Sequence, residues 1–159
     1  MKRLIAILGG AIVLVGIVTA GFAQIPGETP FPEPVTKNVF VSTRTVTAPG
    51  STLGAGALSN FYAQGETVVF EAFAGAVKSG KVLTAKDVKF FYVSVPGQPP
   101  VKLTYRDDPR WPWTATWKIP ADYPVGLVPF KTLLRTSGNQ YGTFVQIPVA
   151  TSQLTVTKA

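Results

Sequence analysis

Residues 113–119, Trp-Thr-Ala-Thr-Trp-Lys-Ile, carry the clearest structural signal in the chain. The odd-numbered positions Trp113, Ala115, Trp117 and Ile119 are apolar, and the even-numbered positions between them are polar. Successive side chains of a strand point to opposite faces of its sheet, so this alternation places one face inward and the other in water. The segment therefore predicts a strand of an antiparallel sheet that is covered on one side.

The chain from residue 37 onward repeats this kind of pattern. Segments rich in Val, Thr, Phe and Tyr are separated by turn residues about every eight to twelve positions, and no helical period is sustained. The predicted strands are Asn38–Thr47, Ala57–Ala63, Thr67–Phe73, Asp87–Val95, Val101–Arg106, Trp113–Ile119, Leu127–Thr136, Gly142–Val149 and Leu154–Thr157. About seven to nine short strands predict an all-β domain over residues 37–159, built as a two-layer β-sandwich.

Residues 117–128, WKIPADYPVGLV, carry a resemblance to a known group of proteins. A strand ends in an aromatic residue and a proline, and a turn of the form D-x-P-x-G leads into the next strand. This resembles the late-strand corner of secreted bacterial immunoglobulin-like domains, over about residues 65–157. The resemblance implies an antiparallel immunoglobulin-like β-sandwich, but it implies no ligand. The cysteine pair of antibody domains is absent, so a vertebrate-type immune domain is not implied.

The N-terminal segment is typical of an export signal. Lys2 and Arg3 precede an uncharged apolar run, and residues 1–23 end in small residues, which predicts cleavage before Gln24. The protein is then secreted or periplasmic. The alternative is an uncleaved membrane anchor, because about 20 apolar residues can span a bilayer. Residues 24–36, with four prolines, predict an extended leader that is disordered or lies along a partner.

Composition excludes much chemistry. The 159 residues include no Cys and no His, which removes disulfides, thiolate metal sites, a cysteine nucleophile and a Ser–His–Asp triad. The net charge of +7 is scattered, and no run of three basic residues supports nucleic-acid binding. We therefore expect no cofactor, no metal and no enzymatic activity.

The predicted strand Asp87–Val95 differs from the others because both of its faces are apolar. One set is Val88, Phe90 and Tyr92, and the other is Phe91, Val93 and Val95. We predict that the second set is an outward-facing partner surface, and that Lys86 and Lys89 steer an acidic partner toward it. The partner is another envelope or extracellular protein, or a second copy of the chain. The alternative is that the second set is core and that the strand is bent or bulged between its halves.

A second candidate surface is aromatic. Trp111, Trp113 and Tyr105 suggest a platform that stacks on the sugar rings of a polysaccharide, with Pro112 leaving Trp111 in an exposed loop. The alternative is that Trp113 and Trp117 fill the core.

Two charged groups are interpreted as turns. Asp107 and Asp108 are too few carboxylates for Ca²⁺ and are flanked by arginines. Asp122 and Tyr123 are assigned to the structure of their turn, with the tyrosine hydroxyl tied to backbone as in a tyrosine corner.

The functional expectation follows largely by exclusion. We expect a non-catalytic secreted or periplasmic binding or structural module, an accessory subunit of a larger cell-envelope or extracellular assembly. The alternative is a carbohydrate-binding module that uses the tryptophans. A small hydrolase without His or Cys is a third hypothesis, for which no matched pair of carboxylates is evident.

Overall fold

The computed structural model describes residues 38–145 and 154–159, and these residues form eleven strands. The predicted signal peptide (1–23) and leader (24–36) lie outside the described residues. The strands are β1 (Val39–Thr47), β2 (Phe61–Ala63), β3 (Thr67–Ala76), β4 (Val88–Ser94), β5 (Val101–Lys102), β6 (Thr104–Tyr105), β7 (Trp113–Lys118), β8 (Gly126–Leu127), β9 (Lys131–Thr136), β10 (Tyr141–Val145) and β11 (Thr155–Thr157).

These strands form three sheets, and the all-β prediction is confirmed. The first sheet has the order β1-β3-β7-β6, the second β10-β9-β4-β5 and the third β2-β11-β8. All pairs are antiparallel except β2 with β11. The last strand of the described chain therefore pairs in parallel with a strand that lies far earlier in the sequence.

One core lies between the first and second sheets, and the third sheet closes one end of it. The alternation in β7 behaves as predicted, because Trp113, Ala115 and Trp117 are buried while Thr116 and Lys118 are exposed. The first sheet also contributes alternate residues of β3, and the second sheet contributes β4 and β9. Tyr62, Leu154 and Val156 of the third sheet and its flank belong to the same cluster.

A bulge at Lys89 decides which face of β4 is core. Val88 pairs with Thr136 but Phe90 pairs with Arg135, so β4 has one residue more than β9 at this point. A bulge re-aims the side chains that follow it. Val88 accordingly packs against the main core, whereas Phe90 belongs to a second cluster on the other side of the sheet.

The prediction that Phe91, Val93 and Val95 face outward is wrong. Phe91 is 1% exposed, and Val93 and Val95 are 0% exposed, all within the main core. Their strand faces the first sheet through these residues, which is the alternative of a bulged strand with this set inside. After the bulge, Phe90 and Tyr92 are the large residues of β4 that face away from the main core.

Two predicted strands are each divided. The segment Val101–Arg106 forms β5 in the second sheet and β6 in the first, and the chain crosses between the sheets at Leu103. Leu103 is fully buried, and its N–H donates to the carbonyl of Phe91. The segment Leu127–Thr136 likewise starts in the third sheet and continues in the second.

The two large sheets also meet closely at one edge. A Cβ atom built on Gly142 of β10 would lie 2.6 Å from Val41 Cγ2 and 2.9 Å from Val39 Cγ1 of β1. Deeper in the interior, the hydroxyls of Thr43 and Thr132 are 2.8 Å apart and share a buried hydrogen bond between the sheets.

Candidate functional site

The third sheet presents apolar side chains to solvent. Thr155 of β11 is in register with Phe61 on one side and with Leu127 on the other, so the three lie in one row. Phe61 is 67% exposed and Leu127 is 51% exposed. Their neighbours in the next row, Tyr62 and Val156, point into the core. The row is therefore the outer face of a sheet whose inner face contributes Tyr62 and Val156 to the core.

A groove of about 460 Å³ adjoins this row. Leu127 lines both, and the rest of the groove is mostly proline and other apolar residues. These lining residues include Pro96, Pro120, Tyr123, Pro124, Val125 and Pro129. We call the row and the groove together the apolar end of the molecule.

Tyr123 holds the wall of the groove in place. Its hydroxyl donates to the carbonyl oxygen of Pro96 at 3.0 Å, and its ring stacks edge-on against Trp117 with centroids 5.1 Å apart. Burial raises the pKa of Tyr123, so the hydroxyl remains a donor. The predicted tie to backbone is confirmed, although its acceptor lies in the β4–β5 loop. Prolines fix their own φ angles, so the backbone that lines the groove has restricted freedom.

The predicted sugar platform does not form as a unit. Trp113 is 5% exposed, and its indole N–H donates to the carbonyl of Leu83 at 3.1 Å. Tyr105 packs edge-on against that ring with centroids 5.2 Å apart. The alternative that Trp113 and Trp117 fill the core is confirmed. The prediction that Trp113 belongs to a sugar platform is wrong, because neither face of its ring is accessible.

Trp111 is different, since it is only half-buried. The guanidinium of Arg44 lies 4.2 Å from the centre of its ring, and the same guanidinium forms an ion pair of 2.7 Å with Glu71. Glu71 also lines a groove of about 530 Å³ on the outer face of the first sheet, with Thr104, Thr114 and other polar residues. This surface offers hydroxyls and charged groups beside apolar residues such as Val46 and Val69.

The carboxylate of Asp108, near Trp111, stabilises the loop in which it lies. The carboxylate of Asp108 accepts from the backbone N–H groups of Arg110 and Trp111, and these bonds hold its pKa below its ordinary value. Within residues 38–145 and 154–159, no three His, Cys, Asp or Glu side chains lie close enough together to hold a metal ion.

Four lysines lie in the turn that leads into β4 and in the first residues of that strand, and we call residues 78–89 the basic turn. Lys86 and Lys89 are exposed, as a steering role requires. Lys81, however, is paired with Asp87 at 2.7 Å. Asp87 also accepts from the backbone N–H and the hydroxyl of Thr84. The hydrogen bond from Lys81, followed by the two from Thr84, lowers the pKa of Asp87 to about 2. Lys81 therefore stabilises the turn through its ion pair with Asp87.

The apolar end was not predicted from the sequence. One signal was available, because Phe61 and Tyr62 are adjacent in a predicted strand and only one of two neighbours can point inward. For Leu127 there was none, since its exposure depends on pairing with a strand far away in the chain.

No family model, curated protein or solved structure matches the chain. In the part of the chain that the structure describes, there is no helix of a length and apolarity sufficient to cross a membrane.

Proposed function

We propose that this protein is an exported, non-catalytic binding or structural module, an accessory subunit of a larger cell-envelope or extracellular assembly. The observation that carries the proposal is the apolar end. Exposed apolar side chains scattered singly are ordinary, but a contiguous group beside a groove is typical of an interaction site.

The apolar end suits a protein partner. Phe61 and Leu127 lie in one row across β11, and Val125 continues the apolar surface into the groove. Aromatic and aliphatic anchors of this kind supply most of the binding energy in protein interfaces. Because the groove is held by prolines and by the Tyr123 hydroxyl, little conformational freedom is lost on binding.

We also propose that the fold is an immunoglobulin-like β-sandwich. The orders β1-β3-β7-β6 and β10-β9-β4-β5 support it, since such domains pair their first, second, fifth and fourth strands on one side and their third, sixth and seventh on the other. The position of Tyr123 between β7 and β9 is that of a tyrosine corner.

The test changes the apolar end without touching the core. The double variant Phe61→Ser/Leu127→Ser is compared with Leu58→Ser, a change of an equally exposed residue outside the row. In envelope extracts of the native cells, we expect the unaltered chain and the control to sediment as a large complex and the double variant to sediment at its own mass. A double variant that stays in the complex contradicts the proposal.

The export part of the proposal is tested by intact mass. The basic start and apolar run of residues 1–23 predict that protein recovered from the periplasm or the medium begins at Gln24. A mass that retains residues 1–23 in a membrane fraction would replace export with anchoring.

A second candidate function has one observation in its favour. Trp111 is half-buried, and the Arg44 guanidinium that lies over its ring is paired with Glu71. Glu71 lines a groove that also contains threonine hydroxyls and Arg106, and such groups bind sugars by hydrogen bonding while an aromatic ring binds them by stacking. A polysaccharide-binding module would lose retention on immobilised envelope polysaccharide when Trp111 is changed to Ala. Retention that is unchanged in Trp111→Ala, or absent in the original chain, excludes this function.

A further inference from the structure

The outer face of the second sheet carries several aromatic and aliphatic residues, although it points away from the main core. Strand register arranges it in three rows. The rows are Tyr141, Arg135 and Phe90; then Thr143, Leu133, Tyr92 and Lys102; then Val145, Lys131 and Ser94. In a domain whose core lies between two sheets, this face would ordinarily be wet.

Three residues of the first two rows nevertheless form a buried cluster, whereas Thr143 and Lys102 of the second row are exposed. Phe90 is 8% exposed, Leu133 is 3% and Tyr141 is 6%, and Tyr92 packs against them. Arg135 lies over the Tyr141 ring, with its charged carbon 5.1 Å from the ring centre. Its Nε is buried and has no hydrogen-bond acceptor among the described residues. Another nitrogen of the same guanidinium, Nη2, donates to Asn139 Oδ1 at 2.9 Å. The cluster thus combines apolar rings with a partly buried cation of which only the Nε lacks an acceptor.

The described chain begins beside this cluster. Asn38 accepts a hydrogen bond from the N–H of Val77, and Val39 lies against Gly142, the neighbour of Tyr141. Residues 24–36 therefore join the fold at the β10 edge of the second sheet. In an extended proline-rich form they reach roughly 40 Å. The four strands span only about 15 Å between the outer two, so the leader is long enough to cross the whole face.

The leader also matches the face in chemistry. It contains Phe31, Ile25 and four prolines, and its charged residues are Glu28 and Glu33 with no base between them. The face carries Arg135 and Lys102 and is bordered by Lys89 of the basic turn. We propose that the leader of the same chain, residues 24–36, covers the outer face of the second sheet, with its apolar residues on the aromatic cluster and a glutamate toward Arg135. This inference concerns a different surface from the apolar end and does not depend on it.

The cis arrangement follows from the tether. A segment joined directly to β1 has an effective concentration in the millimolar range at the neighbouring strands, far above that of the same segment on a second copy.

The test uses introduced cysteines, because the chain has none of its own. The exported full-length chain is prepared with Thr29→Cys and Thr143→Cys, and the matched control carries Thr29→Cys and Thr116→Cys. Thr143 and Thr116 are both exposed threonines on outer faces, one on the second sheet and one on the first. After mild oxidation, peptide mass mapping measures the yield of the disulfide within one chain.

We expect roughly ten-fold more intrachain disulfide at Thr143 than at Thr116. We also expect Phe31→Asp, added to the first pair, to lower that yield toward the control value while the domain stays folded by circular dichroism. Equal yields at the two positions, or insensitivity to Phe31→Asp, would overturn the proposal. Disulfides between chains at Thr143 would overturn it in favour of a second copy as the occupant.

Discussion

Strands β4 and β7 both contribute to the main core, but only the sequence of β7 shows which of its faces points inward. In β7 the apolar residues Trp113 and Trp117 are buried, and the polar residues Thr116 and Lys118 are exposed. In β4 both faces are apolar, and each contributes to a cluster of its own. The comparison teaches that alternation identifies an inner face only where the other face is wet. In β4 the bulge at Lys89, which local sequence does not reveal, sets the inner face.

The strongest test of this comparison is Val93→Asp. An unpaired carboxylate at a site with 0% exposure is among the most destabilising changes known, so we expect a loss of more than about 4 kcal/mol and an unfolded chain. Lys89→Ala, an exposed change in the same strand, serves as the control and should stay within about 0.5 kcal/mol. Urea unfolding followed by circular dichroism measures both. A folded Val93→Asp chain that has only lost an association would restore the outward assignment.

The corresponding test in β7 separates two tryptophans that are two residues apart. Trp113→Ala should lower the free energy of unfolding by about 3–5 kcal/mol, because a fully packed ring is removed from the core. Trp111→Ala should cost only about 1 kcal/mol, since that ring is not part of the core and is only half-buried. Similar losses for the two variants would show that Trp111 is also part of the packed interior.

The edge between the sheets gives a smaller effect. In Gly142→Ala the added methyl group meets Val39 and Val41 at less than 3 Å, so β1 and β10 must move apart. We expect a loss of about 1–3 kcal/mol by thermal or urea unfolding. Gly138→Ala is the matched control, because its nearest neighbour is 3.9 Å away, and it should be nearly neutral. Equal stability of the two variants would mean that the edge is loosely packed.

The smallest effect concerns the turn that leads into β4. The pKa of Asp87 is about 2 in the folded chain against an ordinary value of 3.8, so its contribution to stability is present above pH 4 and is lost as the pH falls through about 2. We expect on the order of 1 kcal/mol, since the pair with Lys81 is partly exposed to solvent. Asp87→Asn should flatten the stability profile in that window, and Asp122→Asn, an exposed change, should leave it as it was. A profile of Asp87→Asn that still falls between pH 4 and 2 as in the original chain contradicts this assignment.

Much of the fold could be predicted from the sequence, because strand positions depend on local alternation and on turn residues. The division of the segment Val101–Arg106 could not, since Leu103 is apolar in either arrangement and only the gap between sheets decides where the chain crosses. The face of β4 depended on one inserted residue, Lys89. Of the predicted surfaces, Trp111 stayed accessible and Trp113 did not, because a tryptophan in a strand satisfies a core and a sugar platform equally well until its neighbours are known.

The parallel pairing of β11 with β2 has a consequence for the order in which the molecule can be completed. Tyr62 and Thr157, which share a hydrogen bond across this pair, are 95 positions apart. Leu154 and Val156 fill one end of the core, so a growing chain that has already passed β10 still lacks part of its hydrophobic interior. Contacts of such long range form slowly and late. We therefore expect the core to stay open at this end during synthesis until residues 154–157 have emerged.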